Sequence, residues 1–314
     1  MEPPLKELIE CLSGSESAEA ADALAALSLE AMITALNTPE MLTRAPGRRK
    51  LSAHLAAQDP AEVMPPLLAA LAYVHWAPNQ VAIDALCAMG EPAIPYLIEN
   101  LANEPDGHGR RQTIIALRRM DAIAAVSALE RLGREDPVTE VRAHAIQALG
   151  MLGAEDSAPT ITAALGDKSH VVRYEAIKAA GWLRLSAAAD ALVELLRSKS
   201  GQERALAVYA LDRIGDTRAT AAVVALLQDP SPYVRWAAAV AIRRLWKNDC
   251  QGPLEKALND GEETVAAAAL ETLFIMAPSV PRHLLAEVSA DRRRAFRPTV
   301  AYYSQTTAEP SNGN

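Results

Sequence analysis

Arg142, Arg173, Arg204 and Arg235 stand 31 residues apart, and Asp136, Asp167 and Asp229 each lie six residues before one of them. A cation repeated at a fixed interval can line a groove and bind an anionic partner. It can also pair with carboxylates and tie a structure together. The matched spacing favours a structural ladder made of Asp136, Arg142, Asp167, Arg173, Arg204, Asp229 and Arg235. Each aspartate is then expected to cap the helix that follows it, which stabilises by about 1 kcal/mol. Each arginine pairs with a carboxylate of its own or the next unit. Exposed pairs contribute only ~0–1 kcal/mol, so such a row mostly sets register, and Arg204→Ala is expected to cost little.

Other chemistry-bearing residues form no catalytic set. His54, His75, His108, His144, His170 and His283 are scattered, and no HExxH, phosphate loop, dinucleotide fingerprint or nucleophile elbow is present. No metal ligands and no cofactor site are identified. Cys11, Cys87 and Cys250 fit neither a disulfide framework nor a metal knuckle, and read as reduced thiols of a cytoplasmic protein. No secretory leader and no apolar run of about 18 residues appears, so no membrane span is expected.

The net charge of −8 argues against nucleic acid as a partner. Local basic clusters exist all the same, at Arg110-Arg111 with Arg118-Arg119, Arg131 and Arg134, at Arg243-Arg244 with Lys247, and at Arg292 to Arg297. Aromatic residues are the better lead. Tyr174 and Trp236 directly follow repeat arginines, in a slot that elsewhere holds Ala143 and Ala205. A core slot rarely tolerates both alanine and tryptophan in adjacent layers, so these two are candidate partner contacts. Trp182 and Trp246 read as packing between layers.

The elements that position these residues follow from the same period. Leu165, Leu196, Leu227 and Leu258 are also 31 apart, as are Asp136 and Asp167, and Asp229 and Asp260, with Ser198 in the missing slot. A period of this size means a stack of similar units. In the unit opening at Asp167, Val172, Ala176, Ala179, Ala180 and Leu183 share one helix face. The turn LSAA follows, then a second helix bearing Leu192, Leu195 and Leu196. The predicted fold is all-α, a right-handed α-α superhelical solenoid. Residues 1–60 are expected to form an irregular helical cap, 61–290 the repeat solenoid, and 291–314 a flexible tail. Pro65-Pro66 is expected to break a helix. The second helices are expected to line the concave face and to offer Thr160, Asp190, Glu194 and Glu255 to a partner.

The segments DPVTEVRAHAIQALGML and DPSPYVRWAAAVAIRRL resemble the HEAT repeat, and the short period is closest to the HEAT-like repeats of phycobilisome (bilin) lyases. Five clear units run roughly from Glu104 to Val288. The composition, lacking any catalytic constellation, points to a non-catalytic scaffold or adaptor for a protein of unknown identity. The resemblance implies two alternatives: a bilin-lyase-like attachment or chaperone role, in which Cys87 and Cys250 would matter, and a HEAT-like DNA-lesion glycosylase. For the latter, Trp182 with Asp190, or Trp236 with Asp229, would be the residues to test.

Overall fold

Alanine-rich stretches with an aliphatic residue every third or fourth position make short helices that pack closely, and they can bury that face only against a neighbour. The computed structural model describes residues 45–73 and 75–277, together with Met32 and Ile33. Most of the predicted cap and all of the predicted tail, with Cys11, His283 and the Arg292 to Arg297 cluster, lie outside the described residues.

Among the described residues there are fifteen α-helices and no strand. They are α1 (Ala45–Ala56), α2 (Pro60–Leu71), α3 (Trp76–Met89), α4 (Ile94–Asn103), α5 (Gly107–Arg119), α6 (Val126–Glu135), α7 (Thr139–Met151) and α8 (Ala158–Ala164). There follow α9 (His170–Trp182), α10 (Ala189–Leu195), α11 (Gly201–Ile214), α12 (Thr220–Ala225), α13 (Pro232–Ala241), α14 (Gln251–Ala257) and α15 (Glu263–Met276). Odd-numbered helices are the first helices of the repeats and even-numbered ones the second. The chain divides into two compact bodies, Met1–Ala176 and Ile177–Asn314, with the division inside α9.

Five of the turns between a first and a second helix carry one residue in the left-handed region. That slot holds Gly90, Asp121, Gly153, Arg184 and Gly215, with φ between 49° and 75°. Three are glycine, which adopts this backbone without strain. The slots are 31 residues apart except for the step from Asp121 to Gly153, which is 32. The Arg110–Asp136 separation is likewise 26 where the later repeats have 25. The extra residue of this repeat therefore lies between Asp121 and Asp136.

Leu165, Leu196, Leu227 and Leu258 are all buried. Of the residues ten after each arginine, only Leu245 is fully buried; Leu152, Leu183 and Ile214 are half-exposed. Helix α2 runs straight through Pro65 and Pro66, against the expected break. The prolines free the carbonyls of Ala61 and Glu62, both exposed residues on the outer face where water can reach them, while Val63, Met64, Leu67 and Leu71 stay buried.

Within each body the first helices pack directly against one another: α3 on α1, α5 on α3, α7 on α5, and α13 and α15 in sequence after α11. Successive second helices have fewer direct neighbours. The close approach in the second body is visible at Gly181, where an added Cβ would lie 3.1 Å from Ala210 Cα. It recurs at Thr272, whose hydroxyl donates to the Ala239 carbonyl at 2.8 Å. The first helices of each body thus form one continuous layer.

Candidate functional site

The arginine slot is the most regular feature of the molecule. Four of these arginines grip the aspartate of the following repeat through two nitrogens: Arg110 holds Asp136 at 2.8 and 3.0 Å and Arg142 holds Asp167 at 3.0 and 3.1 Å. Arg204 holds Asp229 at 2.7 and 2.7 Å, and Arg235 holds Asp260 at 2.6 and 2.8 Å. The Nη1 of each donates to the backbone carbonyl six residues earlier, as does that of Arg173. Asn79 takes the slot in an earlier repeat and keeps this half of the task, donating to the carbonyls of Ala70, Leu71 and Tyr73.

The aspartates are not helix caps. Their Oδ1 atoms accept the N–H two residues on, at Val138, Ser169, Ser231 and Glu262, and so shape the loop that ends one repeat and starts the next. True caps are Asp106, which accepts from Gly109 N–H, and Ser200, which accepts from Glu203 N–H. In the slot lacking aspartate, Ser198 donates to the buried Glu203 carboxylate at 2.5 Å and accepts from Ser200 N–H. A carboxylate is thus returned to that loop from five residues downstream.

The pairs are largely buried: the Arg142 side chain is 5% exposed and that of Asp229 4%. Burial pushes the Asp167 and Asp229 carboxyls up, but the Arg142 and Arg204 guanidinium groups and the loop N–H bonds outweigh it and hold both below the usual carboxylate range. A depressed folded-state pKa gives stability that is complete above the unfolded value of about 3.9 and is lost as pH falls through the folded value. Thermal melts from pH 7 downward should hold steady until about pH 4 and drop below it. Asp229→Asn, having no carboxyl there to titrate, should show a shallower acid limb. An unchanged limb would mean that this pair does not carry the acid sensitivity.

The other predicted site residues scatter. Thr160, expected on a contact face, is 2% exposed and accepts a bond from Arg134, so it belongs to the interior. Asp190 is exposed and lies 3.9 Å from Arg218. Glu194 pairs with Arg197 on its own surface, and Glu255 accepts from Gln251 one turn away. These second-helix residues do not converge on a site. Tyr174 is half-buried in the first body. The basic cluster around Arg110 is committed internally: Arg111 to His108, Arg118 to the Met151 sulfur, and Arg119 to Asp84. Asp229, paired at both oxygens with Arg204, has no lone carboxylate to offer as a base. Burial pushes the Cys87 and Cys250 thiols up, away from the reactive thiolate. Among the described residues no three His, Cys, Asp or Glu side chains are grouped to hold a metal ion, and no single helix is long and apolar enough to cross a membrane.

Trp236 alone of the predicted contacts gathers neighbours of its own kind. It stacks on Tyr233 with ring centres 6.0 Å apart and meets Tyr209 edge-on at 6.2 Å, while the two tyrosine rings are 6.3 Å apart. Tyr233 is 54% exposed. Burial first, then the hydrogen bond with Tyr233, raises the Tyr209 phenol, so it stays protonated. On one side of this triad lies a cleft of about 180 Å³, lined by Ile177, Trp182, Leu206, Tyr209 and Ala210 with Lys178 and Arg213 at its edge. Lys178 sits over the Trp182 ring at 5.1 Å, and Trp182 is 38% exposed. On the other side is a cleft of about 470 Å³ between α13 and α15, lined by Trp236, Val240, Arg243, Thr264, Ala267 and Glu271 among others. The result is an aromatic strip across α9, α11, α13 and α15, on the first-helix layer of the second body.

Tyr209 and Tyr233 were missed in the sequence, yet a signal existed. Lys178, Tyr209, Val240 and Glu271 share one repeat position, as do Gln202, Tyr233 and Thr264. Residue type changes freely there from layer to layer, as it does at Trp236, whereas core slots hold alanine or leucine.

The sequence matches the family described as HEAT repeats over residues 64–150, 126–212 and 199–274. No curated protein matches it. Among solved structures, YibA of Escherichia coli is 15% identical, with 83% of this chain and 97% of that one covered and a TM-score of 0.56. That likeness shows the fold, a stack of helical repeats. The complex of CpcE and CpcF of phycocyanin lyase from Nostoc sp. PCC7120 is 23% identical over 69% of this chain and 88% of that one, with a TM-score of 0.44.

Proposed function

Because this chain belongs to the HEAT-repeat family, we propose that it is a non-catalytic protein-interaction module, a scaffold or adaptor whose partner is gripped by the aromatic strip of its second body. One observation carries the reading. Three aromatic rings from two successive repeats are clustered on the first-helix layer, flanked by two clefts, with Tyr233 largely open to solvent. Rigid aromatics supply contact area at low entropic cost and are enriched among the few residues that dominate binding energy. The ladder, by contrast, is turned inward on its own loops and serves the stack. A repeat solenoid over 61–290, flanked by a cap and a tail, and a cytoplasmic setting complete the proposal.

The test is co-purification from native extract with the tagged full chain and with Tyr233→Ala. The exposed ring contributes little to folding, so the variant should melt with the parent. Its partner should be lost, since removal of a dominant contact weakens binding by about 2 kcal/mol or more. A partner recovered at undiminished yield would refute the strip as the binding face.

A further inference from the structure

We infer that the strip takes an extended acidic segment of its partner, about seven to nine residues long. An apolar side chain is seated between Trp182 and Tyr209, and a carboxylate lies beside Arg243. This rests on the strip being the partner-binding face. The length follows from geometry: four first helices side by side, with axes ~8–10 Å apart, span about 24–30 Å. An extended chain rising ~3.3 Å per residue covers that in seven to nine residues.

The chemistry follows from the lining. The cleft of about 180 Å³ is walled by Ile177, Trp182, Leu206, Tyr209 and Ala210 and is of a size for one apolar side chain. Tyr209 lines this cleft and Trp236 the α13–α15 cleft, and the two rings meet edge-on. Two separate clefts lined by flat rings suit a strand whose alternate side chains point down. They do not form one trough of helix width. The second cleft is partly polar, with Arg243, Thr264 and Glu271 in its lining.

Charge decides the sign of the partner. Lys178, Arg213 and Arg243 line the two clefts, against the single carboxylate of Glu271, while Arg244 is paired with Asp212. Asp212 is pushed up by burial and is bracketed by Arg244, Arg243 and Arg213. On a chain of net charge −8, this is a local positive rim around an apolar floor. Such a rim accelerates and selects an acidic partner and repels a basic one.

A random peptide library of about nine residues, panned on the full-length chain, tests this. Enriched sequences should combine Asp or Glu with a Leu, Ile or Phe anchor. Their affinity should fall at least about tenfold in Arg243→Glu and in Tyr233→Ala, both melting with the parent, and should weaken in high salt. Basic enriched sequences, or affinity indifferent to Arg243→Glu, would overturn the inference. So would a photo-crosslinker at position 233 that maps to residues 278–314 or to a second copy of the chain. If no peptide is enriched but the native partner is still lost from Tyr233→Ala, the extended segment is wrong and the interaction reading stands. If the partner is retained by Tyr233→Ala, both fall.

Discussion

Asp229→Ala is expected to destabilise the protein by about 3 kcal/mol, the lower end of what breaking a buried pair costs. The side chains of Arg204 and Asp229 are 12% and 4% exposed, and two short bonds join them. Removing the carboxylate leaves Arg204 with only its bonds to the Ser198 and Lys199 carbonyls. It also frees the Ser231 N–H that shapes the inter-repeat loop. The sequence reading put the arginine at the surface, where Arg204→Ala would cost little. The burial of the pair reverses that expectation. Arg204→Ala should cost nearly as much, because it strands Asp229 and two carbonyls. The double variant should cost less than the sum of the two. The exposed Arg197–Glu194 pair is the internal comparison: its loss should leave the urea midpoint unchanged. A loss of under about 1 kcal/mol for Asp229→Ala would place the ladder with ordinary surface pairs.

This reversal shows where the sequence was legible. Period and residue type identify the ladder, the leucine slots and the two-helix unit, because a stack imposes the same environment on every equivalent position. What they do not reveal is depth. Arg142 and Thr160 are polar and periodic like any surface residue, and only packing shows that both are buried. The second-helix residues Asp190 and Glu194 read as a face because they are exposed and charged. How closely the first helices approach is likewise a matter of packing, set by Gly181 against Ala210 and by Ala239 under Thr272. Tyr209 and Tyr233 escaped because each, taken alone, is an ordinary helix aromatic. They become a site only when two repeats are laid side by side.

Leu227→Ala should cost about 2–5 kcal/mol, from lost burial plus the cavity left behind. Leu227 is 2% exposed and belongs to the turn Leu226–Gln228, which packs on α13. The cost should sit high in that range, because the layers on both sides are held at fixed spacing by the Arg204–Asp229 and Arg235–Asp260 pairs and cannot collapse into the gap. It should also be local. In a stack each layer leans mainly on its neighbours, so amide exchange should accelerate in α12, α13 and α14 before it does in α15. Uniform acceleration across the second body would mean that the body unfolds as one cooperative unit, not layer by layer. A melt indistinguishable from the parent would mean that the equivalent leucines are not the spine of the stack.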